Sequence, residues 1–240
     1  MPRDGRIIDI SYYSGTGRTS GSLLEKLKFS LWVGDLIGRK ARELQLELGK
    51  VNHLNCYLTA EPPFGEVELA TPSAFFHPVT IRLEPEAVTS LDRVAKDNAL
   101  AQATFRALRL ICEGSDANQT IIGRVERAFA EHGRDLAVAY LTKETQRYLV
   151  EVHHYLCPLR PGPLAPLFPK RRLFAELTYE DKDSGFRGTK RFLEFDGYEE
   201  LHSAVGSISV KGDVVAIRPR RGHNFGVGIE VSRAELTPAG

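Results

Sequence analysis

The chain has 240 residues, 42% apolar and 26% charged, enough for one large or two small domains with a proper core, and this excludes a disordered chain. A net charge of +1 excludes a protein whose whole surface is built for nucleic acid, so any such site has to be local. The opening "MPRDGRIIDISYY" lacks the apolar stretch of a secretory signal, and no window reaches 18 apolar residues, so neither export nor a membrane span is expected. Cys56, Cys112 and Cys157 are odd in number and far apart, which fits a reducing cytoplasm better than a disulfide framework.

In chain order, "RIIDISYY" (6–13) reads as a strand. Over residues 21–49, Leu23, Leu27, Gly34, Ile37, Ala41, Leu44 and Leu48 recur at helical spacing, and Gly49 suits the position after the helix end. "VNHLNCYLT" (51–59) and "AFFHPVTIRL" (74–83) read as strands. Pro85 starts a second helix with Leu91, Val94, Ala101, Phe105, Leu108 and Cys112 on one face and Gly114 at its end. A shorter helix near 117–132 closes at Gly133, and "LAVAYL" and "RYLVEVHHYL" follow as strands. This β-α-β-β-α-β order predicts a ferredoxin-like α+β domain over 1–156, with an antiparallel sheet and two helices on one face.

Residues 157–171 open a segment holding five of the thirteen prolines, predicted to be a stiff linker and the domain boundary. The remainder, 172–240, reads as mostly β: "LFAELTYE", a turn at "DKDSG", "TKRFLEF", a short helix at "YEELHSAV", then "SISV", "DVVAIRP" and a terminal strand.

Several motifs weaken on inspection. "YYSGTGRTSGS" lies between a strand and a helix, as a phosphate-binding loop would. Aligned on Gly17, however, it puts Tyr12 at the first glycine and Arg18 at the lysine. Ser20 or Ser22 as a helix cap is the plainer reading, with Arg18 left at the helix start to meet an anion. His53-x-x-Cys56 and His154-x-x-Cys157 repeat a spacing that offers four zinc ligands, but in strands residues three apart point to opposite faces. Buried thiols and half-buried imidazoles, with no metal and no cofactor, are expected instead. One of His153 and His154 faces inward and the other outward.

The stretch "RPRRGHNFGVGIEV" (218–231) stands apart. Its glycines let backbone N–H groups approach a phosphate closely, Arg218, Arg220 and Arg221 offer bidentate donors, and Phe225 offers a ring to a base. Lys170, Arg171, Arg172, Lys190 and Arg191 add basic residues in the same half, where 13 Lys+Arg meet 11 Asp+Glu from residue 157 on. A basic, soluble hairpin tip has the same composition.

These residues resemble the glycine-rich C-terminal segment of the RAMP superfamily, and most closely the CRISPR repeat-RNA-processing endoribonucleases. Arg220 and Arg221 match the basic lead-in, and Phe225, Gly226 and Gly228 match the Phe-Gly-x-Gly that follows. The resemblance spans about a dozen residues and implies ferredoxin-like domains and a role in antiviral defense. It implies a repeat-hairpin RNA partner, further subunits of a ribonucleoprotein complex, and metal-independent cleavage leaving a 2′,3′-cyclic phosphate. Many members carry a histidine near the start of the first helix. Here Arg18, Lys26 and Lys28 stand there, so either these cations give electrostatic stabilisation alone, or His223, the histidine inside the basic loop, supplies the base, or the chain binds RNA without cutting it; Arg18 and His223 are the catalytic candidates. The competing class is a non-enzymatic protein-binding module, for example a bacterial toxin-neutralising immunity protein.

Overall fold

The computed structural model describes residues 6–7, 9–15, 20–90, 92–156, 173–195, 197–220 and 228–238, with the side chains of 20–22 left aside. It is mixed α and β, with three sheets and six α-helices among the described residues. The chain divides into two compact units, Met1–Leu136 and Ala137–Gly240.

In the first unit, β1 (Asp9–Ser14) leads through α1 (Ser20–Leu27) and α2 (Trp32–Glu43) to β2 (His53–Thr59). Then come β3 (Val67–Leu69), β4 (His77–Arg82), α3 (Pro85–Thr89), α4 (Arg93–Ile111) and α5 (Asp116–His132). The sheet order is β1-β2-β4-β3, with β1, β2 and β4 parallel and only β3 antiparallel to its neighbour. The antiparallel βαββαβ sheet expected from the sequence therefore does not form here. A strand–helix–strand crossover returns β2 alongside β1 in the same direction, as parallel pairing requires.

The helix expected over 21–49 is two helices broken at residues 28–31, where Ser30 N donates to Leu27 O at 2.7 Å and Val33 N to Ser30 O at 3.0 Å. The break lets α2 lie tightly on β1. A Cβ on Gly34 would come within 2.7 Å of the Ile10 carbonyl oxygen and 2.6 Å of the Tyr12 ring. α2 ends at Glu43, so the left-handed residue just past its end is Gln45, at φ 65, and Gly49, also left-handed at φ 83, lies farther on. The second expected helix is also two, because Asp92 caps α4 by accepting from Val94 N at 2.9 Å. Val94, placed on the apolar face by its spacing, is exposed. The third helix closes at Gly133, φ 51, as its sequence predicts. Ile10, Leu54, Leu58 and Ile81 from the sheet, with Leu36, Ile37, Leu100 and Leu108 from the helices, are buried in the core.

The second unit contains β5 (Val138–Glu144), β6 (Tyr148–Leu156), β7 (Leu173–Asp181), β8 (Phe186–Phe195), α6 (Tyr198–Ala204), β9 (Ser207–Lys211), β10 (Val214–Arg218), β11 (Ile229–Ser232) and β12 (Thr237–Pro238). One antiparallel sheet runs β12-β8-β7-β6-β5 and another β11-β10-β9. β6 and β7 pair up to Leu156↔Leu173 inside one sheet, and the proline-rich segment expected as a stiff linker lies outside the described residues. The units divide after Leu136 and not at 157–171, and the two strands expected to complete the first sheet belong to the second unit. The hairpin β5-β6 turns through residues 145–147 and is held by nine β6–β7 pairs, which is local antiparallel pairing of sequence neighbours. The mostly β character of the C-terminal part agrees with its sequence. No helix among the described residues is long and apolar enough to cross a membrane.

Candidate functional site

The base of the 218–231 stretch is the part of it that the structure describes. Arg218 ends β10 with an exposed side chain, its Nη2 3.6 Å from Glu230 Oε1 on the paired strand β11. Gly228 lies just before β11, where a Cβ would stand 3.3 Å from Arg218 Nη1. Pro219 and Arg220 then cross the end of α6. Arg220 N donates to Ser203 O at 3.0 Å, and Gly206 N donates to Arg218 O at 2.8 Å. The approach is close because residue 206 has no side chain: a Cβ there would lie 2.6 Å from Arg220 N and 2.8 Å from Pro219 C.

This docking brings Arg220 to a group of rings. Its Nη2 donates to Tyr140 Oη over a long 3.5 Å, and the same oxygen lies 2.9 Å from Nδ1 of His202. Tyr198 and His202 are four residues apart on α6, on one face, with their rings near-parallel at 6.2 Å and 28°. Tyr140, on β5, meets both edge-on, at 5.8 Å and 6.4 Å. His154, from β6, is buried and packs against Tyr140 and Tyr198. His153 points to the other face, beside Glu151, so the inward and outward pair has the expected alternation. Burial pushes the Tyr140 phenol above its ordinary range, against the opposing pull of the Arg220 guanidinium. A cation and an imidazole thus each stand within hydrogen-bond reach of a protonated phenol beside the exit of β10. Those are the group types that bind a phosphate and move a proton.

The other described basic residues are elsewhere. Lys190, on β8, is ion-paired with Glu235, in the 3-10 turn that follows β11. That turn begins beside Asp213, at the start of β10, so Lys190 lies at the far end of the strand from Arg218, roughly 13 Å along it at about 3.3 Å per residue. Hydrogen bonds from Lys190 and from the Ser232 backbone and hydroxyl hold the Glu235 carboxyl down at about 2. Arg191 lies over Phe174, 3.6 Å from the ring centre, and pairs with Glu194 at 3.0 Å. Phe174 stacks in turn on Tyr155, at 4.9 Å and 10°. Burial and the neighbouring Glu176 carboxylate push the Tyr155 phenol up to about 12. The structure therefore brings Arg218, Arg220 and Gly228 together but does not bring Lys190 and Arg191 to them.

Arg18, Lys170, Arg171, Arg172, Arg221, His223, Phe225 and Gly226 lie outside the described residues, as does Cys157. His53 and Cys56 occupy opposite faces of β2, with Cys56 fully buried. Burial pushes its thiol well above the ordinary range. Sequence reasoning passed over Tyr140, Tyr198 and His202. A Tyr-x-x-x-His spacing on a short helix was the only signal for two of them. Compared with known protein families, with curated proteins and with solved structures, the chain gives no match.

Proposed function

We propose that this chain binds structured RNA and cuts it without a metal ion, acting on CRISPR repeat hairpins as its C-terminal resemblance implies. The observation that supports this most is the Arg220–Tyr140–His202 group at the base of the basic glycine-rich stretch. Metal-independent cleavage needs a base for the 2′-OH, cations for the charge on phosphorus and an acid for the leaving oxygen. The 2′-oxygen attacks the adjacent phosphorus, the P–O5′ bond breaks, and the products are a 2′,3′-cyclic phosphate and a 5′-OH. Arg218, Arg220 and Arg221 contact the sugar-phosphate backbone in this reading, and His223 and Arg18 carry the chemistry. Incubating the chain with hairpin repeat RNA in EDTA and identifying the ends is the direct test. Cyclic phosphate ends are expected, and intact RNA refutes cleavage. If RNA is cut and both Arg18→Ala and His223→Ala keep wild-type single-turnover rates, the assignment of those two residues is wrong.

A second reading, a protein-binding module such as an immunity protein, draws on a different observation. Arg218, Lys190 and Arg191 each have an acidic partner, so much of the described basic charge is matched within the chain. A gel shift with structured RNA at several salt concentrations separates the two. RNA binding that weakens steeply with salt supports the first reading, and no binding at low salt supports the second.

A further inference from the structure

Arg218 is the last residue of β10, and β10 pairs with β11 through Ala216↔Glu230 and Ile217↔Ile229. One step further along that register Gly228 faces Arg218, and Glu230 lies on the diagonal. Diagonal neighbours on one face of an antiparallel pair are within reach of long side chains. The Arg218 side chain takes that course. A Cβ on Gly228 would stand 3.3 Å from its Nη1 and 3.7 Å from its Cδ, so the glycine leaves open the space that the side chain crosses. Its Nη2 then lies 3.6 Å from Glu230 Oε1, which is a contact between charges and too long for a hydrogen bond. The two side chains are 60% and 63% exposed, so water competes for both groups and the pair is a loose one.

We propose that Glu230 is a built-in competitor for Arg218: its carboxylate occupies the guanidinium until a phosphate group of the ligand displaces it, and it thereby limits how tightly the basic stretch holds phosphate. A guanidinium offers the same forked N–H groups to a carboxylate and to a phosphate, so the two anions exchange at one place. Once displaced, Glu230 stays fixed on β11 beside the incoming anion. It therefore opposes binding twice, by the attraction given up and by the repulsion gained. The competition rests on the Arg218–Glu230 contact, whereas assigning the phosphate to RNA rests on the RNA reading above.

The test is binding of hairpin repeat RNA to the full chain, followed by fluorescence anisotropy between about 50 and 200 mM salt. Glu230→Gln keeps the side-chain shape and removes the charge. It should bind about fivefold tighter than wild type, the upper range for an exposed pair. Its plot of log affinity against log salt should be steeper by about 0.9, the slope of one further phosphate contact made without a competing carboxylate. In an Arg218→Gln background the same change should gain less than about twofold, the margin within which independent changes add. A Glu230→Gln affinity equal to or below wild type overturns the proposal. So does a gain that persists in full without Arg218, because that is a general effect of surface charge. If the wild type binds no RNA even at low salt, the RNA reading fails, and inorganic tripolyphosphate, followed through the Arg218 Nε–H resonance of 15N-labelled chain, decides the competition by itself. A shift reached at lower tripolyphosphate in Glu230→Gln than in wild type supports it. Equal titrations, or no shift in either protein, overturn it.

Discussion

Replacing Gly206 by Ala should loosen the docking of residues 218–220 on α6 and carry Arg220 away from Tyr140. The added Cβ would sit 2.6 Å from Arg220 N and 2.8 Å from both Arg220 Cα and Pro219 C. These are backbone atoms, so no side chain can swing aside. Ordinary contact begins at about 3.5 Å, so the chains must part by roughly 0.9 Å. Overpacking of this kind costs about 1–3 kcal/mol. The same parting stretches two backbone hydrogen bonds, Arg220 N to Ser203 O at 3.0 Å and Gly206 N to Arg218 O at 2.8 Å. Each contributes about 0.5–1.5 kcal/mol, though the two effects overlap because one movement relieves both. A loss of about 2 kcal/mol is expected for the second unit. Amide hydrogen exchange followed by peptide mapping measures it locally: the amides of Gly206 and Arg220 should exchange about 30-fold faster, since each 1.4 kcal/mol is tenfold. A Gly206→Ala protein in which both amides keep wild-type protection would refute the packing argument.

Other expectations follow from single groups. Leu54→Ala, at a fully buried position on β2, should cost the first unit about 2–5 kcal/mol in urea unfolding, and a loss below 1 kcal/mol would contradict its place in the core. Glu235 titrates at about 2 in the folded chain against an ordinary 4.5, so its stabilising contribution is present above pH 4.5 and is lost as the pH falls toward 2. Glu235→Gln should therefore be less stable than wild type at pH 7 and indistinguishable from it at about pH 2; a pH-independent difference in unfolding midpoint contradicts this. Asp97 behaves oppositely: burial raises its carboxyl, against the charges of Arg93 and Arg134. The stability tied to its neutral form is present below about pH 3.9 and is lost as the pH rises through the folded value, so Asp97→Asn should gain on wild type between pH 4 and 7. A midpoint difference that stays flat over that range counts against it.

Much of the local structure was determined by the sequence itself. Pro85 at a helix start, Gly133 at a helix end and the alternation of His153 and His154 depend on neighbours within a few residues, and the structure has them where the pattern put them. Helix continuity was less legible. Apolar spacing runs unbroken across residues 28–31 and 90–92, yet the turn bonds at Ser30 and the cap at Asp92 split both helices. Strand pairing was decided only by the tertiary structure, because the same β segments serve a parallel or an antiparallel sheet and their period is 2 in either case. β2 therefore read correctly as a strand but not as the parallel partner of β1, and the hairpin at 138–156 read correctly as strands of the wrong sheet. The candidate site divides the same way. Its arginines and glycines form one contiguous run that composition makes visible, whereas Tyr140 is 62 residues from His202 and 80 from Arg220. Residues so far apart are joined by the folding of β5 beside α6 and by the missing side chain at residue 206, and neither is encoded within a short window of sequence.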